Sequence, residues 1–377
     1  MKIALIVIFA IAVILAFSTV VIAGPEKHNK VRVIAHTDDE VSRALGNDCR
    51  EVKRAKTLTA LECPKDVAQF LGLQEDIKVF AMDSSANKQV RADLVHGNNT
   101  GAGRKIVIID TGYNYNHPEL TSSYLGGKDF VNDDNDPMDD NGHGSHVAGL
   151  ITGDGIDPKA KGVAPAAGII SGKVLAADGS GYFSDVVEAI YWAVDGPDGI
   201  AGTTDDFKSD AISMSLGTSP PYTYRGFCDG VLPDLTNAIK YARSRGILVV
   251  VAAGNSGGAG VSIPGCVSYS TTVGAVDKND KIASFSGIGN AVDVTAPGVS
   301  LLSAWLGSSY VTASGTSMAT PVVSGTIALI KVAHPNYSAT QVENALFKTA
   351  KDLGRKGKDT SFGWGRIDAY SAVKFVA

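Results

Sequence analysis

Four side chains in this sequence have types and surroundings suited to covalent chemistry. Ser317 stands in "SGTSMATPVVSG" (314–325), between a Gly-Thr turn and small residues that resume as the apolar run "TIALIKVA". A serine hydroxyl attacks poorly unless a base takes its proton. His143 lies in "DDNGHGSHVAG", where an acidic, glycine-rich loop enters an apolar helix, and Gly142 and Gly144 leave its ring uncrowded. Asp110 ends the apolar stretch "KIVIID", and Asn255 ends the buried-looking "ILVVVAAGNSGG". An acid, an imidazole, an amide donor and a hydroxyl together could run base-assisted attack on a carbonyl, with the amide meeting the charge that develops on its oxygen.

Each residue also has a plainer reading. Asp before Thr-Gly is a common turn or helix-cap residue, and Asn tolerates left-handed backbone. "DTG" is also the tripeptide of aspartic proteases, but those need two such aspartates sharing a proton and this chain has one. His143 and His146 are three apart, without the H-E-x-x-H spacing and acidic partner of a zinc protease.

These residues need elements to carry them. After "GNNTGAGR" come stretches apolar throughout, "KIVIID", "AGIISGKVL", "DAISMSLG", "ILVVVAAG", "STTVGAV" and "AVDVTAPG", separated by helical patterns. That alternation predicts an α/β fold, a doubly wound, mostly parallel sheet with helices on both faces. In such sheets chemistry gathers at the carboxyl ends of strands, where Asp110 and Asn255 fall. A helix is expected over 234–245, with Leu235, Ala238, Ile239 and Ala242 in one stripe behind an Asp234 cap and before Gly246. Another begins after Pro335, with Ser338 and Gln341 in capping-box spacing.

With 44% apolar and 19% charged residues the 377-residue chain can build a large core, and its net charge of -5 without a basic cluster excludes nucleic acid as partner. Residues 1–23 read as an export signal peptide, or else a membrane anchor over 3–23; the membrane is a partner only if that segment is retained. Either way the remainder is expected to work outside the cell, secreted or anchored. In that setting Cys49, Cys63, Cys228 and Cys266 are expected to form disulfides. Pairing within each region is the simplest arrangement, which the sequence leaves open.

Residues 24–90 read as a small α+β module: strand "VRVIAH", helix "DDEVSRALGN", extended "REVKRAKTLTALEC", helix "PKDVAQFLGL" with Val67, Phe70 and Leu71 on one face, and strand "IKVFAMD". The polar "SSANKQVRAD" (84–93) reads as a linker, and 91–377 as the main domain.

The blocks "VIIDTGYNYNHPEL", "NGHGSHVAG", "KVLAADGSGYFS", "ISMSLG", "VVVAAGNSG" and "GTSMATPVVSG", in this order, resemble the subtilisin-like serine proteases (subtilases), over about residues 90–377. The resemblance implies a serine endopeptidase of broad specificity working through an acyl-enzyme, with Ser317 as nucleophile, His143 as base, Asp110 as its orienting acid and Asn255 in the oxyanion hole. It implies that a protein or peptide substrate lies as an added strand along Gly181 and Phe183 on one side and Ser215, Leu216 and Gly217 on the other, with Ala253 and Gly254 walling the primary pocket. It further implies that the module at 24–90 is an inhibitory propeptide, cut off between Asp83 and Asp93, and that Cys228 and Cys266 pair near the pocket. No catalytic cofactor is implied. Structural calcium is expected in the acidic loops, with Asp133, Asp136, Asp139, Asp195, Asp198 and Asp205 as candidate ligands. Ser145 stands where the family commonly has threonine, and "SPPYTYRGFCDG" reads as an insertion beside the pocket.

Overall fold

The computed structural model describes residues 30–54, 59–75 and 85–376. The segment 1–23 and the strand expected over 77–83 lie outside the described residues. The chain divides into two compact units, Met1–Phe80 and Ala81–Ala377.

In the first unit β1 (Lys30–Ala35), α1 (Asp38–Leu45), β2 (Arg50–Arg54), β3 (Thr59–Pro64), α2 (Lys65–Phe70) and β4 (Gln74–Glu75) build a four-stranded antiparallel sheet in the order β2-β3-β1-β4. Thr37 and Glu40 close α1 with a capping box. Val33, Val41, Ala44 and Leu61 pack round the Cys49–Cys63 bridge. Phe70, expected on the buried face of α2, is 84% exposed, and Ala68 is buried instead. The helix is only six residues long, so a small change in where it starts rotates which side chain meets the sheet.

The second unit opens with α3 (Ser85–Val90), where a linker was expected. Its Ala86, Asn87 and Val90 are buried, and Asn87 donates to the carbonyls of Lys161 and Gly162 at 3.0 and 3.1 Å. Too few apolar residues signalled this helix; long-range contacts hold it.

The sheet of this unit consists of β5 (Lys105–Asp110), β6 (Tyr124–Asp129), β7 (Gly168–Lys173), β8 (Ala211–Met214), β10 (Leu248–Ala252), β12 (Thr271–Val276) and β13 (Val294–Pro297). It is seven-stranded and parallel throughout, in the order β13-β12-β10-β8-β5-β7-β6. Two short antiparallel pairs flank it, β9 (Thr223–Tyr224) with β11 (Val261–Ser262), and β14 (Leu301–Ala304) with β15 (Tyr310–Ala313). All six expected apolar strands are present. The edge strand β6, "YLGGKD", was not expected because its apolar content is low.

β5 shows why continuous apolar strands were needed. Ile106 and Ile108 face one core with α4 (His143–Thr152) and α7 (Thr316–Ala333), while Val107 and Ile109 face another with α5 (Phe183–Asp195) and α6 (Pro233–Ser244). Both faces are covered, so a polar side chain on β5 has room only at the strand end. α6 starts at Pro233, with Asp234 inside its first turn rather than capping it. α8 (Ala339–Thr349) carries the expected Ser338–Gln341 capping box, and α9 (Ala369–Lys374) closes the chain.

The sequence order β5, β6, β7, then β8 places β7 and β8 on opposite sides of β5. The chain changes direction there, and the crevice at the carboxyl ends of these strands is the natural place for a site.

Candidate active site

Asp110 ends β5 fully buried. Its Oδ1 accepts from His143 Nδ1 at 2.7 Å and from the Thr111 N–H at 2.7 Å. A carboxylate only accepts, so the shared proton sits on Nδ1 and leaves Nε2 of a neutral ring as the acceptor. His143 begins α4, and its neighbour Gly144 allows the close approach. A Cβ at residue 144 would lie 2.2 Å from the Gly112 carbonyl oxygen. Burial alone would lower the His143 pKa; the Asp110 charge and hydrogen bond, with a smaller contribution from Asp139, carry it above the ordinary histidine value.

Ser317 occupies the first turn of α7, half-buried, and its peptide N–H belongs to those that have no partner within a helix. Pro321, four residues on, has no N–H to give the Ser317 carbonyl. Ser215 fills that gap with its hydroxyl at 2.9 Å, and Ser317 Oγ donates in return to the Ser215 carbonyl at 3.1 Å. The hydroxyl therefore points to Ser215 rather than to His143, with which it shares a cleft. Rotation about Cα–Cβ re-aims it, and such bonds are often unmade before substrate arrives.

Asn255 is oriented by Thr316. Its Oδ1 accepts from the Thr316 N–H at 2.9 Å and the Thr316 hydroxyl at 3.1 Å. Since an N–H can only donate, the oxygen must face Thr316 and the amide NH2 must face away from it. Asn255 and Ser317 line the same cleft, which encloses about 550 Å³.

Gly181, Phe183, Ser215, Leu216, Gly217 and Gly254 also line this cleft, whereas Ala253 is fully buried and Ala252 takes its place in the wall. Gly181 bridges Leu175 in antiparallel fashion, so one rim is an extended edge, with Ser215–Gly217 on the opposite side. Sequence reasoning missed Ser262. It lies beneath the pocket walls, where a Cβ on Gly254 would come 1.9 Å from its Oγ and one on Gly217 2.9 Å from its Cβ. Ser262 Oγ donates to the Thr218 carbonyl at 2.7 Å. Its only sequence signal was a serine inside an apolar stretch beside Pro264.

His146 turns away from His143, its Nε2 meeting the Val311 carbonyl at 3.0 Å, and chiefly through burial its pKa is pushed down to about 4. The carboxylates expected for calcium are not gathered: no group of three or more His, Cys, Asp or Glu side chains suited to a metal occurs among the described residues. Asp139 spends both oxygens on protein donors, Asp195 accepts from Tyr241 and Asp136 from Tyr115, and Asp133 lies 3.6 Å from Lys128. Asp198 and Asp205 brace their own loop. These side chains as arranged do not fit a calcium cage. The second disulfide joins Cys228 to Cys266, so both pairs form within their regions.

An acid–imidazole pair and a serine at a helix start, in one cleft at the carboxyl edge of a parallel sheet, define a serine hydrolase architecture, and the chain belongs to the Subtilase family, which matches residues 101–365. It is therefore a serine protease of subtilisin type. It is 38% identical to subtilisin BL of Lederbergia lenta over 76% of this chain and 97% of that protein, and 37% identical to thermitase of Thermoactinomyces vulgaris over 73% and 90%. With the thermophilic serine proteinase of Bacillus sp. (strain AK1) it shares 38% identity over 73% of this chain, spanning 62% of that relative's length.

Proposed function

We propose that this chain is an exported serine endopeptidase, made as a zymogen, that hydrolyses peptide bonds in proteins through Asp110, His143 and Ser317. The observation that carries the reading is the 2.7 Å bond between Asp110 and His143 at the cleft that Ser317 also lines. His143 Nε2 takes the Ser317 proton as Oγ adds to the peptide carbonyl. The oxyanion receives hydrogen bonds from the Ser317 N–H and the Asn255 amide, aided by the α7 dipole. His143 passes the proton to the leaving amine, giving the acyl-enzyme, and then activates the water that releases the acid. Asp110 stabilises the imidazolium throughout. A fluorophosphonate probe tests the reading: it should label Ser317, and an unlabelled chain would end it.

Substrate is read as an extended strand between the rims at Gly181 and at Ser215–Gly217, through main-chain bonds indifferent to side-chain identity, which supports broad specificity. Ser262 narrows the primary pocket from below. Ser262→Gly is expected to raise kcat/KM for aromatic over small residues ahead of the cut by roughly tenfold, since a few methylene-sized contacts are worth that much. A peptide-library cleavage profile that stays unchanged would remove Ser262 from the specificity account.

Export is supported by residues 1–23, with the anchored form as the alternative, and by the two disulfides. We read the module expected over 24–90 as a propeptide, an intramolecular inhibitor and folding aid, that ends where the chain is cut. A parallel sheet dominated by distant contacts folds slowly without help. Within the expected window of Asp83 to Asp93, α3 favours the amino-terminal end for the cut, because a break inside it would strip buried Ala86, Asn87 and Val90 from the second unit. Amino-terminal sequencing of mature secreted protein should begin at or before Ser85; a start at Arg91 or later would refute this placement. Calcium has no part in this reading.

A further inference from the structure

We propose that Asp139 is a positioning residue for His143, closing the amino end of α4 and setting a second negative charge behind the imidazole.

α4 has no cap of its own. Its N-cap is Gly142, at φ 106°, without a side chain to accept the free N–H groups of the first turn. Asp139, three residues earlier, does that work from outside the helix. Its Oδ1 accepts from the N–H of Gly142 at 2.8 Å and of Asn141 at 3.0 Å, and its Oδ2 from the N–H and hydroxyl of Ser145 at 2.8 and 2.6 Å. The same Oδ1 accepts from Thr111 Oγ1 at 2.9 Å, and that hydroxyl oxygen accepts from the Gly144 N–H at 2.8 Å. Thr111 follows Asp110, while Gly142 and Gly144 bracket His143. One buried carboxylate thus ties the strand that carries the acid to the helix that carries the base.

The charge matters as much as the geometry. His143 is the first residue of α4, at the positive end of the helix dipole, which opposes the imidazolium formed whenever Ser317 gives up its proton. Asp139 sits at that same end and offsets it. Burial alone would raise the Asp139 pKa; the bonds from Gly142, Ser145 and Asn141 outweigh it and hold it below the ordinary value, so the charge is present at neutral pH. The other ionisable groups on the packed elements are accounted for. Asp110 bonds the ring directly, Lys173 at the end of β7 pairs with Asp140 at 2.6 Å, and His146, one turn along α4, stays neutral. Asp110 and Asp139 are the net charges that favour the protonated ring.

This inference rests on the assignment of Asp110, His143 and Ser317 above. The test is Asp139→Asn in the full chain, read by the pH dependence of kcat/KM on a peptide anilide and of fluorophosphonate labelling at Ser317. His143 must be neutral to accept the proton, so activity falls as pH drops through its pKa. Losing a charge that raises this pKa should move the acid limb down by about 0.3 to 1 pH unit. Losing imidazolium stabilisation should also cut kcat by roughly tenfold, with KM within about twofold. Ser145→Ala, which removes one donor but keeps the charge, should leave the limb in place. Where Asp139→Asn does not fold, Asp139→Ser supplies a smaller neutral acceptor for the same measurement. An unmoved limb in the neutral variant, or an equal shift in Ser145→Ala, overturns the proposal and leaves Asp139 a helix cap alone. Absence of labelling in the unmodified chain would instead overturn the assignment of the triad.

Discussion

Ser317→Ala is expected to lower kcat by about 10⁶, the magnitude that loss of the same serine has in subtilisin itself. The substitution deletes one hydroxyl whose only hydrogen bond among the described residues, to the Ser215 carbonyl at 3.1 Å, is half-buried, so folding should lose no more than about 1 kcal/mol. Activity and stability therefore separate cleanly. The Ser317 N–H, the Asn255 amide and the α7 dipole all remain, so a residual rate above the uncatalysed one should persist. Fluorophosphonate labelling should vanish, and the chain should keep its proposed propeptide, whose self-cleavage would need the same nucleophile. Retention of more than a few per cent of turnover, or labelling that persists at another residue, would contradict the assignment.

Asp110→Asn should cost on the order of 10⁴ in kcat/KM, with KM little changed. Asp110 Oδ1 collects two donors, His143 Nδ1 and the Thr111 N–H, while Oδ2 is buried without a partner among the described residues. An asparagine can be placed in two ways. With its oxygen toward the two donors it keeps the tautomer, but the charge that stabilises the imidazolium is gone and the NH2 is buried unsatisfied. With its NH2 toward Nδ1 it drives the proton onto Nε2, and the ring can no longer accept from Ser317. Both are poor catalysts. Either placement leaves a buried donor without an acceptor or sets donors face to face, so a stability loss of about 1 to 3 kcal/mol is expected beside the much larger loss of activity. A loss below about tenfold would mean that Asp110 only braces its turn.

The five inner strands and the fully buried edge strand β13 were legible because strands covered on both faces must be apolar at every position, a pattern that survives without any tertiary information. β6 escaped because most of its residues are only part-buried and two are glycines, and α3 escaped because its six residues are mostly polar and held by distant carbonyls of Lys161 and Gly162. The hairpin β14–β15 was equally silent. For the site, Asp110, His143, Asn255 and Ser317 were marked by their place after apolar runs and among small residues. Ser262 carried no such mark, because its importance comes from which glycines stand against it.

By itself the sequence determined that this is a parallel α/β protein of subtilisin type, with its polar chemistry at strand ends, because local pattern and residue order suffice for that. Tertiary structure alone decided that Asp139 accepts from donors at the start of α4, that Ser215 stands in for the N–H missing at Pro321, and that Ser262 floors the pocket. These are questions of distance between segments far apart in the chain. Hydrogen-bonding capacity is written in each residue type, but which partner satisfies it is fixed only when the chain has folded.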